Sequence, residues 1–439
     1  MKKEPRKLDR DRLRGILEDN GGSPEDLERF NEYMSRRGFL RRTGVIAALA
    51  GMGAGAEVTL QRLFGQGLIP VGWAAEAETK AIASKPDMII HNDRPVNGEF
   101  SPHLLDDNIT PSPRHFVRNN GLTPQRAKNK DPQGWELAID GEINTPLKLT
   151  LDDLKKMPAI TKSLLIECGG NGRGNFVPKV RGNPWDRGAV ACSEWTGVPL
   201  KEILNRAGLK SSAIYTAHYG EDPPIGAAPP FSRGIPIDKA MEEHTLVAYK
   251  MNGKDLEALN GYPVRLVVPG WIGSCSQKWL NRIWIRDQVH DSNKMTGYSY
   301  RVPAYPVVPG SRPPKTDMVI ATSWVIKSLI TRPAANTRID IGKTFKVRGH
   351  AWAGENQVDS VYISTDYGLN WTKAVLTQPR NQYAWYTFET ELAFKGKGYY
   401  EIWARAVDNQ GVTQPARQPW NPKGYLGNVI HRVPVLVGV

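Results

Sequence analysis

An α+β body followed by an all-β domain is the architecture this sequence predicts, and three observations predict it. Between residues 86 and 312, short strand-like runs alternate with helical stretches and many Pro/Gly turns, without the regular βαβ rhythm of a doubly wound sheet. Beyond the linker Ser311-Arg-Pro-Pro-Lys315, short alternating strands are separated by turn signals. The 439 residues, 40% hydrophobic and 23% charged, suit two or three domains with sizeable cores and exclude a disordered chain.

Residues 1–77 read as an address that is not part of the fold. Ser35-Arg-Arg-Gly-Phe-Leu40 holds a twin-arginine pair, and an Ala/Gly-rich apolar stretch runs from Val45 to Ala56. Ala75-Glu-Ala77 offers a small-x-small cleavage site, so the segment reads as a twin-arginine export signal and predicts a periplasmic protein. The apolar stretch is too short to span a bilayer, which predicts no stable membrane insertion.

In the central region, Trp135-Glu-Leu-Ala-Ile-Asp-Gly141 reads as a strand closed by an Asp-Gly turn. Thr150-Leu-Asp-Asp-Leu-Lys-Lys-Met157 reads as a helix with Thr150 as N-cap and Asp153 three residues later. Val198–Gly208 reads as a second helix, with Pro199 near its start and Gly208 closing it. Tyr262–Gly270 reads as a strand carrying Arg265 among apolar neighbours. A charge there needs a partner, either a bound phosphate or a buried Asp. In the last region, Phe345–Trp352, Val358–Ser364 and Tyr399–Ala406 read as strands of an antiparallel sandwich, immunoglobulin-like in architecture but without the Cys…Trp…Cys pattern of antibody domains.

Charge and cysteine usage narrow the function. The net charge is +13, and residues 1–44 hold twelve Lys/Arg against nine Asp/Glu, so most of the surplus lies on the folded body. No basic-aromatic run or finger spacing points to nucleic acid, and an anionic substrate or acidic partner accounts for the charge equally well. The three cysteines, Cys168, Cys192 and Cys275, cannot all pair. No C-x-x-C occurs, which excludes a zinc ribbon and covalent c-type haem. No G-x-G-x-x-G with a following acidic residue supports a nicotinamide site. The segment Ile166-Glu-Cys-Gly-Gly-Asn-Gly-Arg-Gly-Asn175 stands out. It puts a thiol at the end of an apolar run, in front of a Gly-rich turn where backbone can approach a large ligand. A thiolate with a cation five residues on suits a soft metal and an anionic substrate.

Several ordered blocks of this chain resemble the sulfite oxidase family of molybdopterin enzymes, from about Pro86 to the C-terminus. They are Phe116-Val-Arg-Asn-Asn-Gly121, Glu167-Cys-Gly-Gly-Asn-Gly-Arg173, Pro184-Trp-Asp-Arg-Gly-Ala189 with Glu194-Trp-Thr-Gly-Val198, and Pro263-Val-Arg-Leu-Val-Val-Pro-Gly270 with Lys278-Trp-Leu280. The resemblance implies a sulfite-oxidase-type molybdopterin-binding domain over 86–312 and a dimerisation domain over 315–439, hence a homodimer. It implies molybdenum–molybdopterin as cofactor, with Cys168 as the protein's ligand to the metal. Arg118 and Arg173 then form the anion pocket, because guanidinium binds two oxygens at once. A tyrosine completes the site: Tyr298 or Tyr300 in Gly297-Tyr-Ser-Tyr-Arg301, with Tyr298 preferred. Asn119, His218, Arg233, Arg265, Ser276 and Lys278 are the candidates for holding the pterin and its phosphate; His218 reads equally as a packed core histidine.

One departure bears on substrate. Where sulfite oxidases carry Arg in a late W-N-x-R-G block, this chain has Lys423 in Trp420-Asn-Pro-Lys-Gly424, and Asn120 stands where histidine is common. Lysine keeps the charge and loses the bidentate fork. Two substrates follow: carrier-bound sulfane sulfur, as in the molybdenum subunit of thiosulfate-oxidising systems, which the altered pocket favours, or free sulfite. Either way a separate c-type cytochrome takes the electrons, with a sulfur-carrier protein as a further partner in the first case. A methionine-sulfoxide reductase and a non-catalytic interaction protein are the remaining alternatives.

Overall fold

A computed structural model describes residues 82–225 and 228–439. The twin-arginine leader lies outside the described residues, among which no helix is long and apolar enough to cross a membrane.

Strands dominate. The antiparallel pair β1 (Val96–Glu99) and β2 (Val117–Arg118) sets Arg118 opposite Asn97. After β3 (Leu137–Gly141) and β4 (Leu147–Leu149) comes helix α1 (Leu151–Lys156). Its start is the predicted one: the Thr150 hydroxyl accepts from the Asp153 amide at 3.2 Å, and the Asp153 carboxylate accepts from the Thr150 amide at 3.0 Å. Two otherwise unpaired amides are satisfied reciprocally. Thr150→Ala should destabilise this turn by about 1 kcal/mol, read as faster amide hydrogen exchange over residues 151–156 with activity unchanged.

Strands β5 (Ile160–Glu167) and β6 (Val190–Pro199) pair antiparallel from Ile160↔Gly197 to Glu167↔Val190. Helix α2 (Leu200–Ala207) buries Leu200, Ile203, Leu204 and Ala207, a stripe at helical spacing, and ends on Gly208, whose φ of 71° suits glycine. There follow β7 (Tyr215–Gly220), β8 (Ser232–Pro236), β9 (Leu246–Met251), β10 (Lys254–Asp255), β11 (Arg265–Val267) and β12 (Leu280–Arg286). One five-stranded sheet runs β10-β9-β6-β5, with β11 also paired to β9; the other runs β4-β3-β12-β7-β8. Their apolar faces and α2 share one core that includes Leu137, Ile203, Val247, Leu266 and Ile283. Each such buried side chain contributes about 1.5–3 kcal/mol.

The expected strand over Tyr262–Gly270 shrinks to the three residues Arg265–Val267. Pro263 and Pro269 flank it, and neither has an N–H to extend a ladder.

The C-terminal region is a two-sheet sandwich. It comprises β13 (Lys327–Arg332), β14 (Thr337–Ile339), β15 (Phe345–Trp352), β16 (Val358–Ser364), β17 (Thr372–Lys373), β18 (Val375–Thr377), β19 (Tyr386–Leu392), β20 (Gly398–Asp408) and β21 (His431–Val437). The sheet orders are β13-β15-β19-β18 and β14-β21-β20-β16-β17. Val347, Val361, Phe388, Ile402 and Val435 fill the space between them. A further apolar cluster joins sandwich to body, with Phe100, Leu165, Val190 and Cys192 meeting Leu329, Trp352 and Trp385. Cys192 and Cys275 are fully buried, and burial pushes the Cys192 thiol up to about 12, so it is an inert packing residue.

Candidate active site

Strand β5 ends at Glu167, and Cys168 follows on the wall of a cavity. The Cys168 amide donates to Ala189 O at 2.9 Å and its carbonyl accepts from the Asn171 amide at 2.7 Å, so the turn is held to the start of β6. Two glycines of the turn have definite reasons. Gly172 has φ 86°, and a Cβ on Gly170 would lie 2.4 Å from the Arg173 guanidinium. Burial pushes the Cys168 thiol above its ordinary range, while Arg118 and Arg173 pull it back. A metal ion binding there would displace the proton.

The cavity brings together Cys168, Arg118, Asn119, Arg265, Ser276 and Lys278 of the residues the sequence singled out. Arg118 stands beside Cys168 at the end of the short strand β2. Burial alone would lower its pKa, but Tyr300, Cys168 and Tyr425 outweigh that and raise it. Its guanidinium donates to Asn120 Oδ1 at 2.8 Å, and Asn120 Nδ2 reaches the Tyr300 hydroxyl at 3.2 Å. Asn120 therefore lines the pocket and links its arginine to its tyrosine.

The tyrosine on the cavity wall is Tyr300, not Tyr298. The Tyr298 hydroxyl donates to Pro313 O at 3.0 Å, and its ring lies under Arg312 at 4.9 Å, off the cavity wall. Tyr300 is buried, with φ 57° in the left-handed region where a non-glycine residue is strained, a feature that clusters at functional sites. Its ring stacks on Tyr425 at 5.3 Å.

Two arginines stand outside the cavity and clamp these rings. Arg233 lies 5.1 Å over Tyr300 and donates to Lys294 O and Ala321 O; Arg173 lies 5.2 Å over Tyr425 and donates to Lys423 O at 3.0 Å. Neither lines the cavity, so Arg233 supports the site tyrosine where a phosphate contact was expected. His218 is also off the wall. It sits fully buried on β7, its Nε2 bonded to Thr216 Oγ1 at 2.7 Å, and burial lowers its pKa to about 3. It is a packed histidine. Lys423 meets the site through its carbonyl, not its ammonium, which is half-buried and depressed by burial and by Arg173, Arg312, Lys294 and Arg181.

Arg265 and Lys278 make another part of the lining cationic. Arg265 donates to Asn260 O at 2.9 Å and Ser276 O at 3.1 Å, and lies 4.9 Å from the Trp195 ring; burial lowers its pKa to about 9. Lys278 donates to Asn119 Oδ1 and to Leu259 O at 2.8 Å, and burial, with Arg265 beside it, holds its ammonium well below the lysine range. Among the described residues no carboxylate lies within ion-pair distance of either. The buried-Asp alternative for Arg265 is thus not what the structure contains. Asn119 Nδ2, Asn260 Oδ1, Ser274 Oγ and Gln277 Oε1 are buried on the same wall without a hydrogen-bond partner. Unpaired cations and orphaned polar atoms around one cavity fit a phosphate-bearing, hydrogen-bonding heterocycle, and the thiol at its end fits a soft metal. Molybdopterin meets both requirements. Cys168 would hold its metal; Arg265, Lys278, Asn119 and Ser276 would hold its pterin and phosphate.

Sequence reasoning missed Asp222 and Asn260 on this wall. Burial raises the Asp222 carboxyl to about 7. Asp222 lies in an irregular segment and Asn260 ends a single helical turn, Ala258–Asn260; the one available signal was Asn260, five residues ahead of a charged strand residue.

Residues 123–294 match the oxidoreductase molybdopterin binding domain, and residues 319–438 match the Mo-co oxidoreductase dimerisation domain. Mitochondrial sulfite oxidase of Rattus norvegicus is 33% identical over 80% of this chain, which spans 66% of that protein's length. Sulfite oxidase of Gallus gallus is 30% identical over 79% of this chain and 77% of its own. The structure of the sulfane dehydrogenase SoxCD from Paracoccus pantotrophus superimposes with a TM-score of 0.67 at 28% identity, covering 83% of this chain and 86% of that one. The chain therefore belongs to the sulfite oxidase family of molybdopterin oxidoreductases.

Proposed function

We propose that this chain is a molybdenum-dependent oxidoreductase that oxidises sulfane sulfur bound to a carrier protein and passes the electrons to a c-type cytochrome. The observation that carries the reading is the arrangement of Cys168, Arg118, Asn120 and Tyr300 on the wall of a cavity that Arg265 and Lys278 also line, with no ion-pair partner among the described residues. When bound, molybdenum–molybdopterin supplies two-electron oxygen-atom chemistry at sulfur. The chain supplies the rest. Cys168 gives the metal a thiolate, Arg118 offers a planar fork to an anionic sulfur group, and Tyr300 holds a hydroxyl hydrogen beside it.

Around this end, Arg173, Arg181, Lys294, Arg312 and Lys423 form a cationic group in which none pairs with a carboxylate among the described residues. Such a field attracts an anionic substrate and the acidic surface of a carrier. The likeness to a sulfane dehydrogenase supports the same reading. The sandwich domain would build a homodimer, as the matched family's description suggests, and the twin-arginine leader would place the protein in the periplasm.

Free sulfite is the second reading, favoured by the identity to sulfite oxidases and by Arg118 at the cavity end. A steady-state assay of the cofactor-loaded protein with sulfite and soluble cytochrome c separates the two. Negligible turnover with full molybdenum content supports the carrier-bound substrate; fast, Cys168-dependent turnover makes sulfite the substrate. With whichever substrate turns over, Tyr300→Phe should lower kcat about a hundredfold, the scale of one lost donor at a reacting anion. Tyr298→Phe should leave it unchanged.

A further inference from the structure

The residue before Cys168 is the acceptor of a buried polar link that crosses from the sandwich. Glu167 is completely inaccessible to solvent and its carboxylate faces three donors. Lys327 Nζ, on β13, pairs with Oε1; Trp352 Nε1, at the end of β15, donates to Oε2 at 2.7 Å; Asn171 Nδ2 donates to Oε1 at 2.8 Å. Burial raises the Glu167 pKa, but three donors and no acceptor hold the carboxylate ionised. The ammonium is itself enclosed, 4.9 Å from the Trp324 ring and 5.8 Å from the Trp352 ring. Asn171 carries the link onward, since its Oδ1 accepts from the Ala189 amide at 3.1 Å and its own amide donates to Cys168 O. Glu167 and Asn171 thus connect the backbone around Cys168 to the sandwich.

A buried pair of this kind adds little net stability over an apolar replacement, because desolvating both charges offsets their attraction. It does fix geometry. Each donor approaches from a different element, so the carboxylate and the adjacent peptide have one arrangement. We propose that Lys327 and Trp352 are positioning residues: acting through Glu167, the sandwich domain sets the orientation of the Cys168 side chain toward the metal. The inference rests on Cys168 as the metal ligand and deepens the functional reading above. On this view the sandwich is part of the catalytic apparatus as well as a candidate dimer surface.

The test uses the full chain loaded with cofactor, comparing wild type with Lys327→Met, Trp352→Phe and the double variant Glu167→Gln/Lys327→Met. The readouts are the electron paramagnetic resonance spectrum of the one-electron-reduced molybdenum, the kcat and KM of whichever substrate turns over, and the melting temperature. The expected result is a shifted metal spectrum in all three variants. In Lys327→Met, kcat should fall about ten- to a hundredfold with little change in KM, the usual effect of removing a residue that orients a metal ligand. The double variant, which leaves no unpaired buried charge, should melt near wild type and still show the shifted spectrum. Should Lys327→Met fail to fold, Trp352→Phe and the double variant carry the same comparison. A wild-type spectrum and kcat in folded variants, with only the melting temperature lowered, would overturn the proposal. Cys168→Ser serves as the control: if it too leaves the spectrum unchanged, the ligand assignment has failed and not the positioning role.

Discussion

Cys168→Ser should abolish sulfur oxidation while leaving the fold intact. The substitution replaces one buried atom by a slightly smaller one in a turn whose backbone bonds, Cys168 to Ala189 and Asn171 to Cys168, do not involve the side chain. Packing loss is therefore small. The chemical change is large. A thiol sheds its proton to a soft metal readily, and here Arg118 and Arg173 favour the thiolate against the burial that raises its pKa. A serine hydroxyl offers a hard, poorly acidic oxygen in its place. We expect kcat to fall by at least about three orders of magnitude, some 4 kcal/mol of transition-state stabilisation. Circular dichroism and melting temperature should stay near wild type. Turnover within tenfold of wild type in protein of equal metal content would remove Cys168 from the chemistry.

The parts of the site that were legible in the sequence are those where local physics and the order of blocks agree. The capping box at Thr150 and the glycine closing α2 are short-range patterns, and both form. Phe345–Trp352 and Val358–Ser364 appear with the predicted ends, each bounded by the turn signals that flank it. Cys168 reaches the cavity because a strand ending in a glycine turn has few ways to go. The errors arise where long-range packing decides. Tyr298 and Tyr300 stand two residues apart in an irregular loop, and a single left-handed residue, Tyr300 itself, sends one into the cavity and leaves the other on Pro313. His218 and Arg233 face each other across the β7–β8 ladder, and only the folded chain shows the first packed on Thr216 and the second over the Tyr300 ring. Asp222 and Asn260 carried no periodic signal at all.

Removing a cation from the phosphate wall should separate folding from cofactor binding. Lys278 is enclosed with Arg265, Arg118 and Lys85 as like charges and Asp222 as an opposing one. Burial depresses the lysine most, and the like charges around it lower its pKa further. Lys278→Met keeps most of the side-chain volume and its contact with the Trp279 ring, which the ammonium now meets at 4.5 Å, while deleting the charge. The cofactor-free variant should therefore melt at or above the temperature of cofactor-free wild type. Its affinity for cofactor should fall by about 2–5 kcal/mol, the range for truncating one partner of a buried charge-assisted hydrogen bond. The same electrostatics fix the sign of a pH effect. Lys278 has a lowered pKa in the free protein, and a bound phosphate raises it again, so binding takes up a proton. Affinity should rise as pH falls toward the free-protein pKa of Lys278 and level off below it, as long as the phosphate stays ionised. Titration calorimetry in two buffers of different ionisation heat measures the proton directly. Proton uptake in wild type that disappears in Lys278→Met would establish that this lysine holds the phosphate. Uptake that persists in the variant would place the proton on another group and overturn the assignment to Lys278.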